Sequence, residues 1–293
     1  DEVAGVWWVM FWASVVVLAL VMLLVLYAVY RRPDRRRPIH SDWLIAGGGV
    51  ALPGVLLTAL LIYGLRLDLP LHAGAPSPPL TIEVTGHQWW WEVRYPGARE
   101  AVTANEIHVP VGRTVRVEVR SADVIHSFWV PRLAGKLDLI PGHENALRLR
   151  ADAAGAYRGQ CAEFCGAQHA HMALWVIAEP AEQFDRWLER QRRPAAEPTA
   201  TAARRGKAAF LSERCVQCHT VRGTPADGEK GPDLTHVGSR RTIAAGTLPA
   251  DRDSFARWIM QTQRIKPGNR MESFAHLDEA VVRDIAAWLE GLE

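Results

Sequence analysis

The stretch Gly159–Met172, GQCAEFCGAQHAHM, decides how the rest of the chain is read. It sets Cys161 and Cys165 four residues apart, His169 four further on and Met172 three beyond that. His126 lies upstream in IHSFWV, a run with strand character. A disulfide across so short a loop would leave His126, His169 and Met172 without a role. Zinc held by two Cys and two His would have no use for the thioether. Thiolate, imidazole and thioether together make a copper set, because soft sulfur favours Cu(I) and imidazole suits both oxidation states. A mononuclear blue-copper site needs one Cys. Two thiolates can bridge two copper ions with one His at each end, and one electron then spreads over the pair with little change in geometry.

Working outward, Thr81 to Glu179 breaks into short β-type runs: TIEVT, WWWEVRY, TVRVEVRS, IHSFWV, ALRLRA and ALWVIAE. Thr114 to Ser121 alternates strictly, as a half-buried strand does, and Pro96-Gly97, Val111-Gly112 and Pro141-Gly142 punctuate the series. About seven or eight short strands in ~100 residues predict a β-sandwich. Pro180 to Arg193 reads as an amphipathic helix, and Pro194 to Ala203 (PAAEPTATAA) as a small-residue linker. From Arg204 the pattern is helical and ends in DEAVVRDIAAWLEGL.

Upstream, Gly5 to Tyr30 and Trp43 to Leu65 are almost free of charge, and each exceeds the ~20 residues that span a hydrocarbon core. Trp7, Trp8 and Trp12 mark one interface of the first run, and Tyr27 and Tyr30 the other. The intervening RRPDRRRP carries Arg31, Arg32, Arg35, Arg36 and Arg37, which the positive-inside rule places in the cytoplasm. Both termini, and all that follows residue 66, are then expected outside. The 293 residues carry 34 basic and 32 acidic side chains, a balance that gives no global reason to bind nucleic acid. An apolar share of 48% excludes extended disorder.

A second motif, Cys215-Val-Gln-Cys218-His219, has the Cys-x-x-Cys-His spacing by which haem c is attached through two thioethers, with the His placed to ligate iron. A thioredoxin-like pair would need a βαβ context and gain nothing from the His. Of the Met residues near this segment, Met172 belongs to the copper loop and Met260 lies in the helix-like FARWIMQTQ. Met271 lies in the irregular IKPGNRMESF and is the sixth-ligand candidate. The four Cys of the chain are thereby used.

ADVIHSFWVP (Ala122–Pro131), GQCAEFCGAQHAHM, GHQWWWEVRYP (Gly86–Pro96) and the two-span hairpin resemble subunit II of haem–copper cytochrome c oxidases across residues 1–190. Residues 203–292 resemble a small class I cytochrome c, with Gly206 and Phe210 in its first helix, Gly231-Pro232-Asp233-Leu234 beside the proximal His, and Trp288 in its last helix. Glu272 stands where a Pro usually follows the ligand Met. The resemblance, that of a caa-type oxidase subunit, implies a transmembrane helical hairpin over 1–68 and an all-β cupredoxin sandwich over 69–193. A linker over 194–203 and an all-α class I cytochrome c domain over 204–293 follow.

The same resemblance implies the roles of individual residues. Cys161 and Cys165 bridge the ions of a dinuclear copper A centre, His126 and His169 each ligate one, and Met172 and the Glu163 carbonyl are weak ligands. The Glu163 carboxylate reaches a magnesium shared with subunit I, and Trp89 is the exposed tryptophan where electrons enter. Asp123 lies near the docking surface, while His171 and His143 match no ligand. Cys215, Cys218, His219 and Met271 hold one haem c.

The implied function is to receive electrons from a cytochrome c or a membrane cytochrome complex and pass them through haem c and copper A to subunit I, which reduces oxygen in a proton-pumping enzyme. Subunit I, subunit III and lipid are the expected partners, in a bacterial-type inner membrane, with no nucleic acid. Two alternatives are a quinol-oxidase subunit II, which usually lacks the copper ligands, and a membrane-tethered copper carrier with a cytochrome. The Glu that many relatives carry near the start of the second span is absent from HSDWLIAGGGVALP, where Ala46 holds the position and His40 or Asp42 is the nearest substitute.

Overall fold

The computed structural model describes residues 2–31, 41–72, 80–98 and 100–293. Two units result, residues 1–76 and 77–293. The arginine-rich loop from Arg32 onward, His40 and most of the Pro-rich connector lie outside the described residues.

In the first unit, α1 (Glu2–Tyr30) is one uninterrupted helix with apolar side chains on all sides, as a helix facing lipid requires. The second run begins as a short helix, α2 (Ser41–Leu44), and widens into a π-helical turn over Ile45–Ala51. It then continues as α3 (Leu52–His72), beyond the boundary at residue 68 drawn from sequence. Pro53 offers no N–H to the preceding turn, and the three successive glycines Gly47, Gly48 and Gly49 let the backbone take up the difference. Stretches of 27 and 22 residues, Ala4–Tyr30 and Ile45–Arg66, are long and apolar enough to cross a membrane.

In the second unit, ten strands form two five-stranded sheets. One sheet runs β3 (Ala101–Ala104), β2 (Trp90–Tyr95), β1 (Leu80–His87), β5 (Val115–Ser121), β8 (Asn145–Leu149). The other runs β4 (Glu106–Pro110), β10 (Ala173–Glu179), β9 (Gly155–Cys161), β6 (His126–Trp129), β7 (Leu137–Leu139). Sequence reading missed β3, β4, β7 and β9, which are short or broken by Gly and polar residues. β1 lies parallel to β5, and β4 parallel to β10. Alternate residues of each strand point inward, so Ile82, Val84, Trp91, Val93, Val117, Phe128, Leu174 and Val176 fill the space between the sheets. Trp91 and Phe128 meet edge to face at 6.0 Å, and full burial of each such side chain stabilises by ~1.5–3 kcal/mol. Helix α4 (Ala181–Gln191) closes one end by seating Phe184 and Trp187 on Tyr95.

The segment read as a small-residue linker, residues 194–203, is pinned at its N-terminal end. Arg222 donates to the Gln191 carbonyl (2.7 Å), the Arg193 carbonyl contacts His236 Nε2 (3.0 Å), and Ala195 N–H donates to Arg222 O (2.8 Å). Helix α5 starts at Thr201, three residues before the expected boundary, and runs to Ser212. It crosses α7 (Glu279–Glu290) so closely that a Cβ on Gly206 would run into the Asp284 carbonyl, with Phe210 and Trp288 edge to face at 5.0 Å. A two-strand hairpin, β11 (Thr242–Ile243) and β12 (Leu248–Pro249), and α6 (Arg252–Ile265) complete the helical part.

Candidate functional site: a sulfur-rich loop beside a helical cavity

β6 and β9 are neighbours in one sheet, and their pairing sets Phe128 opposite Cys161. His126 therefore faces the loop that leaves β9. That loop turns at Gly166, whose positive φ of 113° suits glycine, and returns to the sheet through Met172. The donors converge. Cys161 Sγ lies 3.8 Å from Cys165 Sγ, 3.9 Å from His126 Nδ1 and 3.2 Å from the Glu163 carbonyl. Cys165 Sγ lies 3.6 Å from His169 Nδ1 and 3.8 Å from Met172 Sδ. Both thiols are free and buried, and the ligand atoms of His126, Cys161 and Cys165 fall within 4.8 Å of one another.

The thiol pair binds its two protons unequally. Sharing a proton with Cys165, helped by His126 and backbone groups, holds Cys161 well below the ordinary thiol range, whereas the nearby thiolate and burial push Cys165 up. A bound cation would favour loss of the second proton. Asp123, expected near a docking surface, turns inward instead. Its Oδ1 bonds His126 Nε2 at 2.8 Å, which leaves Nδ1 as the lone-pair nitrogen toward the sulfurs. Burial alone would raise the Asp123 carboxyl, but hydrogen bonds from His126 and from the Gln88 and Val124 amides bring it below the ordinary range. The Asp-x-x-His spacing was the available signal for this pair. The Glu163 carboxylate is 44% exposed and 3.9 Å from Lys136 Nζ. His171 bonds Gln168 and His143 is exposed; neither adjoins the sulfurs.

The second set surrounds a cavity of about 700 Å³ in the helical part, lined among others by Cys215, Cys218, His219, Met271, Phe210 and Trp258. Cys215 to Cys218 form a tight turn, with Cys218 N–H donating to Cys215 O (3.2 Å). His219 Nδ1 meets the Pro232 carbonyl at 2.8 Å, so the ring donates there and keeps Nε2 as acceptor. Burial lowers its pKa and favours the neutral ring. Gly231 lies so near that a Cβ would sit 2.7 Å from His219 Cε1. Met271 stands in a loop on the cavity wall, whereas Met260 sits within α6. Glu272, in place of the usual Pro, pairs with Arg214 at 3.0 Å and ties the Met271 loop to the residue before Cys215. Arg240 also lines the cavity, and its buried Nε has no protein partner among the described residues, as fits a site for an acidic group. Size, donor set and the unpartnered Nε of Arg240 all suit a haem.

Trp89 stands between the two sets. Its Nε1–H donates to the Cys165 carbonyl at 3.0 Å, and its ring lines the helical cavity. The exposure expected of it is not observed. Trp89 is 9% exposed because residues Lys266 to Gly268 cover it, and a Cβ on Gly268 would lie 4.0 Å from its Cη2. Lys266 was missed by sequence reading: it is 3% exposed, and burial pushes its ammonium down to about 8.

Comparison with known proteins agrees with this partition. Residues 97–179 match the family described as cytochrome C oxidase subunit II, periplasmic domain, and residues 203–293 match cytochrome c. The chain is 33% identical to cytochrome c oxidase subunit 2 of Alkalihalophilus pseudofirmus over 96% of its own length and 85% of the relative's. It is 29% identical to the Bacillus subtilis protein of that name over 83% and 72%. A crystal structure of the periplasmic domain of subunit II of cytochrome oxidase (CoxB) of Bradyrhizobium japonicum is 35% identical over 40% of this chain and 95% of that one, with a TM-score of 0.38. With a membrane hairpin, a sandwich carrying gathered sulfur and imidazole donors, and a haem-attachment domain behind it, the chain belongs to the cytochrome c oxidase subunit II family, in a form with a cytochrome c domain at its C-terminal side.

Proposed function

We propose that His126, Cys161, Cys165, His169 and Met172, with the Glu163 carbonyl, hold two copper ions, and that Cys215, Cys218, His219 and Met271 hold one haem c. The carrying observation is that Trp89 is hydrogen-bonded to the copper loop at Cys165 and lines the wall of the helical cavity. When bound, the two groups supply one-electron carriers of nearly constant geometry. The residues around them hold that geometry. Asp123 fixes the His126 ring, Pro232 fixes the His219 ring, and the buried sandwich end keeps water from the sulfurs. Trp89 bridges the two sites through a single hydrogen bond, which supports a role as the path between them.

On this reading the external donor, a cytochrome c or a membrane cytochrome complex, meets the helical domain, and the copper side faces subunit I. Phe164, 76% exposed at the tip of the copper loop, is an apolar contact suited to that subunit. The exposed Glu163 carboxylate is placed for a magnesium completed by subunit I, with subunit III as a further partner. The arginine-rich loop puts the hairpin turn in the cytoplasm and the redox domains outside the inner membrane. The test is metal content and paramagnetic resonance of the full chain in its oxidase. Two copper ions per chain, with one unpaired electron coupled to both nuclei, are expected, and Cys161→Ser should abolish that signal. One zinc per chain with no copper uptake would overturn the reading.

A further inference from the structure

Lys266 is the one buried ammonium among the described residues, and the reading above gives it no task. It caps the C-terminal end of α6, five residues before Met271. Its Nζ donates to three carbonyls, Trp89 O at 3.0 Å, His171 O at 2.8 Å and Ala244 O at 3.2 Å. Two of these acceptors belong to the sandwich and one to the β11–β12 hairpin. An ammonium has three hydrogens, so its donor capacity is met in full. Such an arrangement is costly to bury without its partners, which ties the cation to the closed state of this seam.

The contacts around it run the same way. Gln168 of the copper loop donates to Pro267 O at 2.8 Å. The Ala173 amide, next to Met172, donates to Ala245 O at 3.0 Å, and the Arg241 amide donates to Glu106. Ala244 and Ala245 both hold positive φ, 53° and 56°, a backbone state unfavourable for alanine that turns their carbonyls toward the sandwich. From Lys266 the chain passes over Trp89 and reaches Met271 within five residues. Asn269 links the two by donating to Lys266 O (2.7 Å) and accepting from Met271 N–H (2.8 Å).

We infer that Lys266 is the positioning residue of the internal electron step, a three-way latch that locks the Met271 loop and the β11–β12 hairpin onto the copper loop with Trp89 enclosed between them. The inference rests on the haem and copper reading above but is tested apart from it. The chain has four lysines, and Lys230, in the helical domain, is exposed. Reductive methylation of the unaltered chain in its oxidase should therefore label Lys266 at least ~10-fold more slowly than Lys230. In Lys266→Met the haem and copper spectra should persist, while amide exchange at Ala173 and Arg241 rises about tenfold and that of Val84 in β1 stays unchanged. Flash reduction of the haem in that variant should show transfer to copper slowed by roughly tenfold or more, because small misplacements of reacting groups are costly, and made dependent on ionic strength. The KM for the external donor should not move. Labelling of Lys266 as fast as Lys230, or unchanged exchange and transfer in Lys266→Met, would overturn the latch. Should Lys266→Met lose its spectra, the labelling result on the unaltered chain decides alone. Absence of a copper signal in the unaltered chain would instead sink the metal reading and leave the labelling result standing.

Discussion

In the sandwich, two sulfurs, two imidazoles and a thioether each lie within 3.9 Å of another donor, held by β6, β9 and a loop clamped to them. In the helical domain, the proposed haem ligands stand around a cavity of about 700 Å³, and its apolar lining residues, Phe210 and Ile259 among them, pack on one another on one side and face the cavity on the other. The proposed copper ligands are gathered by a core that is complete without metal. On the proposed reading the helical domain would complete its core only with the prosthetic group in place. One site would be carried by its fold, and the other would carry part of it.

The widest gap between the two regions should open when the haem cannot attach. An unfilled cavity of about 700 Å³ denies the surrounding helices apolar contacts that a group seated there would supply. Cys215→Ala with Cys218→Ala should thus abolish protection of α5 and α7 in amide exchange while the strands of the sandwich stay protected. Protected helices in that variant would end the contrast. The copper side should behave in the opposite way: Cys161→Ser removes the metal signal and leaves the sandwich folded.

Two smaller changes sharpen the contrast. Met271→Ala should remove the sulfur-to-iron absorption band at the red edge and lower the haem potential by on the order of 0.1 V, a part of the ~0.8 V that axial ligands command. The same effect from Met260→Ala, with none from Met271→Ala, would move the sixth ligand into α6. Asp123→Asn keeps the shape but weakens the acceptor that orients His126, and should lower copper affinity by about 10–100-fold, read by competition with a chelator. An unchanged affinity would mean that the strands alone orient the ring.

What sequence made legible was whatever is local. Cys161, Cys165, His169 and Met172 fall within twelve residues, and Cys215, Cys218 and His219 within five, so spacing exposes the donor types, while the part of Glu163 came only from the resemblance. The hairpin was equally plain, because a lipid-facing helix has to be apolar on every side. What acts across the chain was not legible. Lys266 meets Trp89 across 177 positions, and nothing in IKPG distinguishes a latch from a surface lysine. The cover over Trp89 depends on how two domains meet. The composition of the Pro-containing linker gives no sign of its tethers, Ala195 N–H on the Arg222 carbonyl and Glu197 on Lys207, because both partners lie later in the chain. β9 escaped because Gly155, Gly159 and Arg158 interrupt its apolar pattern, so that pairing with β10 and β6 on its two sides makes it a strand, and β4 escaped because it is a five-residue edge strand held by β10 alone.

On the proposed reading, the burial of Trp89 would wire the molecule as a series circuit. In a branched arrangement, a soluble carrier with the right surface could feed the copper loop directly and bypass a defective haem. With Trp89 closed under Lys266–Gly268, the sandwich offers no exposed tryptophan at that point, and current through the oxidase would then not exceed what the helical domain admits. A lesion at Met271 or His219 should therefore not be rescued by any excess of external carrier, and the choice of carrier would rest with the outer face of the helical domain.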